Sequence, residues 1–106
     1  ADSNYAYILV KDTLNRGLRI ALYSANEALG KLHLDTHYEQ PQYMQRRLLG
    51  SDQYPFYLKG IPFLRIDCGF SKDYHQPTDT PDKINYELLA EQVKLAFLTA
   101  WNIANN

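Results

Sequence analysis

The chain has 106 residues, which is long enough for one domain with one modest hydrophobic core. Its net charge is -1 and its basic residues are scattered, which excludes the basic surface typical of nucleic-acid-binding proteins. No apolar run approaches the ~20 residues that span a bilayer, so no membrane span is expected. The one short basic cluster, Arg46 and Arg47, is predicted to be solvated surface. Because Cys68 is the only cysteine, an internal disulfide and a thiolate zinc cluster are excluded.

The first thirty residues predict a strand followed by a helix. Tyr5 to Val10 is a short apolar run bounded by polar residues, which is typical of a buried strand. Either Asp12 or Thr13 can cap the helix that follows, and Gly30 ends it. Its apolar positions recur at helical spacing: Leu14, Leu18, Ala21, Leu22, Ala25 and Leu29.

The middle of the chain is less regular. Lys31 to Tyr38 alternates weakly and predicts either a short strand or an extended connection. Glu39 to Gly50 contains Pro41 and many polar residues, and we interpret it as an irregular loop. Asp52 to Lys59 predicts a short helix that ends at Gly60.

The last part of the chain predicts a strand, a loop and a long helix. Ile61 to Cys68 is a second apolar run, and Gly69 to Asp82 is rich in turn residues. The final helix is expected to begin after Asn85, which is a good N-terminal cap. An apolar stripe along this helix is formed by Leu89, Val93, Ala96, Ala100 and Ile103 and widened by Phe97 and Trp101.

Strands separated by helices predict an α/β fold with a layered sheet. In such folds ligands bind beyond the carboxyl ends of the strands. The loop after Ile66, which holds Tyr74 and His75, lies at that end of its strand. This loop is therefore the first candidate for a functional site.

The candidate loop contains an imidazole flanked by carboxylates and a proline. A metal-binding histidine needs its second ring nitrogen oriented, usually by a carboxylate or a carbonyl. Either Asp73 or Asp79 could orient His75 in this way. A single histidine near aspartates is also common on protein surfaces, so this segment alone does not decide between a metal ligand and a surface residue.

Several motifs together make the pattern specific. The segments Ser51–Phe56, Gly60–Pro62, Tyr74–Thr80 and Asp82–Ile84 follow one another at a characteristic spacing. This pattern closely resembles S-D-H-x-x-F, G-I-P and Y-H-x-P-x-D-T in the two-zinc exopeptidases. That family includes bacterial leucyl aminopeptidases, glutamate carboxypeptidases and animal glutaminyl cyclases. Residues 4–30 also resemble the strand and helix that precede the pattern in bacterial members.

The resemblance implies that residues 1–106 are the C-terminal part of a single catalytic domain with a three-layer, mixed-sheet zinc-peptidase fold. It implies that His75 is a zinc ligand and that two zinc ions act on a peptide substrate in the complete enzyme. The other ligands and the general base are then expected upstream. The isolated chain is therefore expected to be inactive, and either to bind its missing part or to self-associate.

The resemblance also assigns supporting roles to other residues. Phe63, Arg65, Phe70 and Tyr74 lie where the family builds its specificity pocket. Arg65 and Asp67 interrupt a strand expected to be buried, so they either point toward a site or pair with each other. Their polarity suggests a preference for polar or acidic N-terminal residues.

Two aspartates are candidates for roles behind the metal ligands. Asp52 resembles a family position that supports the site from behind the ligands, but it is equally suited to capping the short helix. Asp79 is expected either to orient the loop or to start a turn before Pro81. His33 and His37 match no motif of the family and are interpreted as surface residues.

The chain departs from the family pattern at two positions. Gln53 replaces the histidine of S-D-H, and an amide cannot titrate near neutral pH. Arg47–Gly50 lacks the tyrosine that many members place before the serine, although Tyr43 could substitute for it. These departures leave two alternatives open: a non-catalytic, peptidase-like binding module and a glutaminyl cyclase-like acyltransferase. Resemblance to bacterial members also implies a periplasmic or extracellular location.

Overall fold

A computed structural model of the chain describes residues 4–11, 17–30, 32–67 and 76–105. Three strands form one sheet: β1 (Tyr5–Lys11), β2 (His33–Asp35) and β3 (Phe63–Asp67). The helices are α1 (Gly17–Ala28), α2 (Pro41–Leu48), α3 (Tyr54–Leu58) and α4 (Tyr86–Ala104), with short 3-10 turns at His37–Glu39 and Pro81–Lys83. This mixed sheet flanked by helices confirms the predicted α/β class.

The strand order is β2-β1-β3, with β2 parallel and β3 antiparallel to β1. Tyr7 of β1 is the residue at which both neighbours end. It is paired with Asp35 on one side and with Asp67 on the other. The carboxyl ends of β2 and β3 therefore lie level with each other across the sheet.

The two faces of the sheet bury different sets of side chains, because side chains alternate along a strand. On one face Ile8 and Val10 pack with Leu22 and Ala25 of α1 and with Leu95 of α4. On the other face, the side chain of Leu9 packs with three others in a second cluster: Met44, Leu48 and Phe63. The sheet is thus covered by helices on both faces.

Helix α1 ends where the sequence predicts. Gly30 has a φ of +96°, a left-handed conformation that glycine adopts without strain. The Asn26 side chain then bonds both the N–H and the carbonyl of Leu32, each at 2.8 Å. These bonds fix the turn into β2, so Lys31 to Tyr38 contains a short strand rather than only an extended connection.

The interpretation of Glu39 to Gly50 as an irregular loop is wrong, since α2 occupies most of it. Pro41 is the first residue of α2, where its missing N–H costs no helical hydrogen bond. Met44 and Leu48 are four residues apart, so they lie on the same side of the helix and enter the second cluster. Two buried apolar side chains thus outweigh a mostly polar composition.

The short helix α3 is confirmed within a few residues of its predicted bounds. It is followed by Gly60, which has a φ of +70°. The predicted strand from Ile61 to Cys68 is confirmed over Phe63–Asp67. Neither helix nor strand is present in residues 76–80.

The long helix α4 begins as predicted, because the Asn85 Oδ1 accepts a hydrogen bond of 3.1 Å from the Leu88 N–H. The residues of α4 that are buried are not those of the predicted apolar stripe. The buried residues of α4 are Leu88, Leu95 and Thr99, on the side that contacts α1. The residues of the predicted stripe are all exposed, and Val93, Phe97 and Trp101 are more than half exposed. None of the helices in the described ranges is long and apolar enough to cross a membrane.

Candidate functional site

The candidate site lies on the face of the sheet covered by α2, at the carboxyl ends of β2 and β3. Asp67 is the last residue of β3 and Asp35 the last residue of β2. Both lie beside Tyr7, which is half-buried. The chain continues from Asp67 directly into the segment that carries the predicted ligand His75.

Two arginines converge on the Asp67 carboxylate. Arg47 donates from Nη2 to both carboxylate oxygens at 3.1 Å. Arg65 donates from Nε to Oδ2 at 3.0 Å and from Nη1 to the Arg47 carbonyl at 2.9 Å. Of the two alternatives for Arg65 and Asp67, pairing with each other is therefore confirmed. Arg65 also ties the end of α2 to β3.

The prediction that Arg47 is solvated surface is wrong. Only 7% of its side chain is exposed, whereas Arg46 is exposed. Arg47 is one residue before Leu48, whose burial turns this side of the last helical turn toward the sheet. The Asp67 carboxylate then supplies the counter-charge that a buried guanidinium requires.

Aromatic rings form a continuous layer beside this ion pair. The Arg47 guanidinium lies 4.2 Å from the centre of the Tyr38 ring, a cation–π contact. The Tyr38 ring is 5.1 Å from that of Tyr7 and 5.9 Å from that of Tyr43. The His37 ring is 4.8 Å from that of Tyr43 and tilted by 33° against it. Tyr43, the possible substitute for the family tyrosine, is thus part of this layer.

At the edge of the same face, the Tyr5 hydroxyl donates a hydrogen bond to the Asp35 carboxylate. This bond lowers the pKa of Asp35, because it stabilises the ionised carboxylate. The same bond raises the pKa of the Tyr5 hydroxyl above its usual range, because ionisation of the hydroxyl would remove the proton that it donates. Asp35 also accepts a 2.8 Å bond from the His37 N–H, so it orders the turn into α2.

The structure distributes the other predicted site residues over several places. Phe63 is 8% exposed and lies in the core cluster with Leu9. Asp52 and Asp79 are exposed. The amino-terminal cap of α3 is Gln53, which makes no side-chain capping bond. The following residues of interest lie outside the described part of the chain: Asp12, Thr13, Cys68, Phe70, Asp73, Tyr74 and His75.

His33 and His37 are exposed, which confirms them as surface residues. Within residues 4–11, 17–30, 32–67 and 76–105, no three His, Cys, Asp or Glu side chains are arranged to hold a metal ion. The described residues therefore do not by themselves form a zinc site. The predicted role of His75 depends on the sequence motif.

Sequence reasoning did not identify Arg47 and Tyr38 as site residues. A guanidinium three residues after Met44 and one before Leu48 lies beside a buried helical face, and this spacing was the available signal. This spacing indicates burial of Arg47 only if residues 41–48 are first predicted to be a helix. Tyr38 carried no signal of its own among nine tyrosines.

Comparison with known proteins gives one result. The model of peptidase family M28 matches residues 4–100. No significant match was found among curated proteins or among solved structures. The matched region contains all three strands, the Arg47–Asp67 pair and the Tyr74–Thr80 motif. Because the family model covers nearly the whole sequence, the chain belongs to peptidase family M28.

Proposed function

We propose that the chain is part of a zinc-dependent aminopeptidase that removes N-terminal residues from peptides, with His75 as one zinc ligand. The observation that carries the proposal is the family match over residues 4–100, which includes the Tyr74–Thr80 motif. A neutral imidazole is a common zinc ligand, and zinc supplies a Lewis acid at the scissile carbonyl. The position of Asp67 supports the proposal, because the segment with His75 starts at the carboxyl end of β3.

The proposal includes further ligands and a general base from polypeptide outside these 106 residues, since one imidazole cannot hold two zinc ions. We therefore treat residues 1–106 as the C-terminal part of one catalytic domain. The outer side of α4 supports this view. Val93, Phe97 and Trp101 are 56–65% exposed there, and a helix that is apolar on both sides is typical of a buried position.

The proposed substrate is a peptide with a free N-terminus. Arg65 remains a candidate for the specificity pocket, but its guanidinium is held by Asp67 and by the Arg47 carbonyl. This internal use weakens the case for a direct contact with acidic N-terminal residues. Phe63 lies in the second core cluster, so it would affect the specificity pocket only indirectly, through the packing of β3. An exported location, periplasmic or extracellular, is part of the same proposal.

The test uses the longer protein, meaning the polypeptide of which we propose this chain to be a part. The longer protein should release the chromophore from aminoacyl chromogenic substrates, and the isolated chain 1–106 should not. His75→Ala should lower the rate at least 100-fold, on the order of the effect of losing one catalytic electrostatic group. His33→Ala, which removes an exposed histidine, is the matched control. Equal rates for the two variants would refute the proposed role of His75.

A second candidate function is a peptide-binding module without catalysis. Gln53 stands where the family has a histidine, and in place of the family tyrosine the chain has Arg47–Gly50, whose Arg47 is held in an ion pair. Binding of a peptide without release of product would favour this candidate. A glutaminyl cyclase-like activity would instead form pyroglutamate from N-terminal glutamine, which mass spectrometry of the product detects.

A further inference from the structure

The carboxylate of Asp35 lies beside two tyrosine rings on the face of the sheet that α2 covers only in part. Asp35 is opposite Tyr7 in the register of β2 and β1. Tyr5 lies on the same face as Tyr7, because side chains alternate along a strand, and the two rings are 5.3 Å apart. Helix α2 buries this face at Leu9, whereas Asp35 and both tyrosines are only half-buried. The carboxylate is therefore within reach of a partner from solvent.

Asp35 has hydrogen-bonding capacity that the described residues do not use. Its Oδ2 accepts from the Tyr5 hydroxyl, and its Oδ1 accepts from the His37 N–H at 2.8 Å. A carboxylate offers about four lone-pair sites, so each oxygen can accept one more bond. Among residues 4–11, 17–30, 32–67 and 76–105, no lysine or arginine pairs with Asp35. The carboxylate can therefore accept two parallel bonds from a planar cation.

The same face already holds a guanidinium between a carboxylate and a tyrosine ring. Arg47 donates to both oxygens of Asp67 at 3.1 Å, and its guanidinium carbon is 4.2 Å from the centre of the Tyr38 ring. Asp67 and Asp35 flank Tyr7 on its two sides in the sheet. Asp35 thus repeats the combination of carboxylate and tyrosine ring. Arginine suits this combination better than lysine does, because its planar fork both binds carboxylates bidentately and stacks on aromatic rings.

We propose that Asp35, together with the rings of Tyr5 and Tyr7, binds the guanidinium of an arginine side chain in a peptide. This inference rests on the proposed function in one respect, since a peptidase has a peptide as its partner. Because Asp35 is only half-buried, water weakens both the ion pair and the contact with the rings. The expected selectivity for arginine over an uncharged side chain of the same shape is therefore modest, about three- to tenfold in affinity.

The experiment measures binding of two peptides to the longer protein by NMR titration. One is N-acetyl-glycyl-arginyl-glycine amide, and the other has citrulline, the uncharged analogue of arginine, at the central position. Acetylation removes the free N-terminus, so the proposed aminopeptidase cannot cleave either peptide. At pH 8, where histidine is ordinarily neutral, the arginine peptide should bind the wild type about three- to tenfold more tightly than the citrulline peptide.

Asp35→Asn should abolish this selectivity. The amide oxygen can still accept from the His37 N–H, and the amide nitrogen can donate to the Tyr5 hydroxyl, so the local structure has replacements for both bonds. The matched control is Glu87→Gln, which removes an exposed carboxylate from α4 and should keep the selectivity.

Equal affinities of the two peptides for the wild type would overturn the inference, and this comparison decides the matter even if Asp35→Asn does not fold. Full selectivity in a folded Asp35→Asn would also overturn it. So would an equal loss of selectivity in Glu87→Gln, because the effect would then come from the overall charge of the protein.

Binding of the blocked peptides is measured without hydrolysis, which separates this inference from the proposed function. If the longer protein selects the arginine peptide but releases no chromophore from aminoacyl substrates, only the proposed function fails. If it releases chromophore and binds both blocked peptides equally, only the arginine-binding role of Asp35 fails.

Discussion

The outer side of α4 allows a quantitative test of the proposal that a larger domain surrounds this chain. Phe97 is 65% exposed, and its ring stacks at 6.1 Å on that of Trp101, which is itself 56% exposed. An aromatic side chain buries roughly 150–250 Å² when fully covered. Covering the exposed part of Phe97 would therefore contribute about 2–4 kcal/mol, at ~25 cal/mol per Å².

Phe97→Ala should accordingly lower the free energy of unfolding of the longer protein by about 2–4 kcal/mol. The matched control is Lys94→Ala, on the same helix, with 60% of its side chain exposed. A surface substitution of this kind changes stability by less than about 0.5 kcal/mol. Both values come from urea unfolding followed by circular dichroism.

Phe97→Ala would refute the reasoning if it were no more destabilising than Lys94→Ala. The outer side of α4 would then be exposed in the longer protein too, and the proposal of a single enclosing domain would lose its structural support. In the isolated chain, the same exposed side predicts self-association, which Phe97→Ala should weaken in light scattering.

Three further predictions concern local structure. Asn85→Ala should lower stability by about 1 kcal/mol, because the Leu88 N–H loses its cap; thermal unfolding measures this. Gly30→Ala should cost about 1–2 kcal/mol, since φ is +96° there, and chemical unfolding measures it. Tyr5→Phe should destabilise at neutral pH, because the bond that lowers the pKa of Asp35 favours the folded state above the ordinary aspartate pKa. This difference should shrink as pH falls through the lowered pKa, which a series of unfolding curves from pH 7 to pH 2 would show.

The elements that sequence predicts well here are those with a local physical cause. Asn85 can cap a helix from its own side chain, and Gly30 and Gly60 adopt a left-handed backbone regardless of distant contacts. These signals require only neighbouring residues. For this reason the C-terminal ends of α1 and α3 and the start of α4 are predictable.

The errors have a tertiary cause. Helix α2 is stabilised because Met44 and Leu48 pack against Leu9 on one face of the sheet. No local sequence pattern contains this contact. The prediction that Arg47 is solvated surface is wrong for the same reason. The burial of Arg47 depends on Asp67, twenty residues later in the chain.

The packing of α4 shows another limit of pattern reading. The helix is apolar on two opposite sides, and hydrophobic periodicity cannot say which side meets α1. In the structure Leu88 and Leu95 face the core, while the more conspicuous stripe with Phe97 and Trp101 does not. The candidate zinc ligand His75 is predicted from the sequence motif and not from geometry, so its role is a chemical proposal.

The role of His75 is tested most simply by the zinc content of the longer protein, measured by elemental analysis in the wild type, in His75→Ala and in His33→Ala. We expect His75→Ala to lose zinc relative to the wild type, while His33→Ala binds as much as the wild type. Equal zinc in all three proteins would contradict the assignment of His75 as a ligand, and with it the proposed function of this chain.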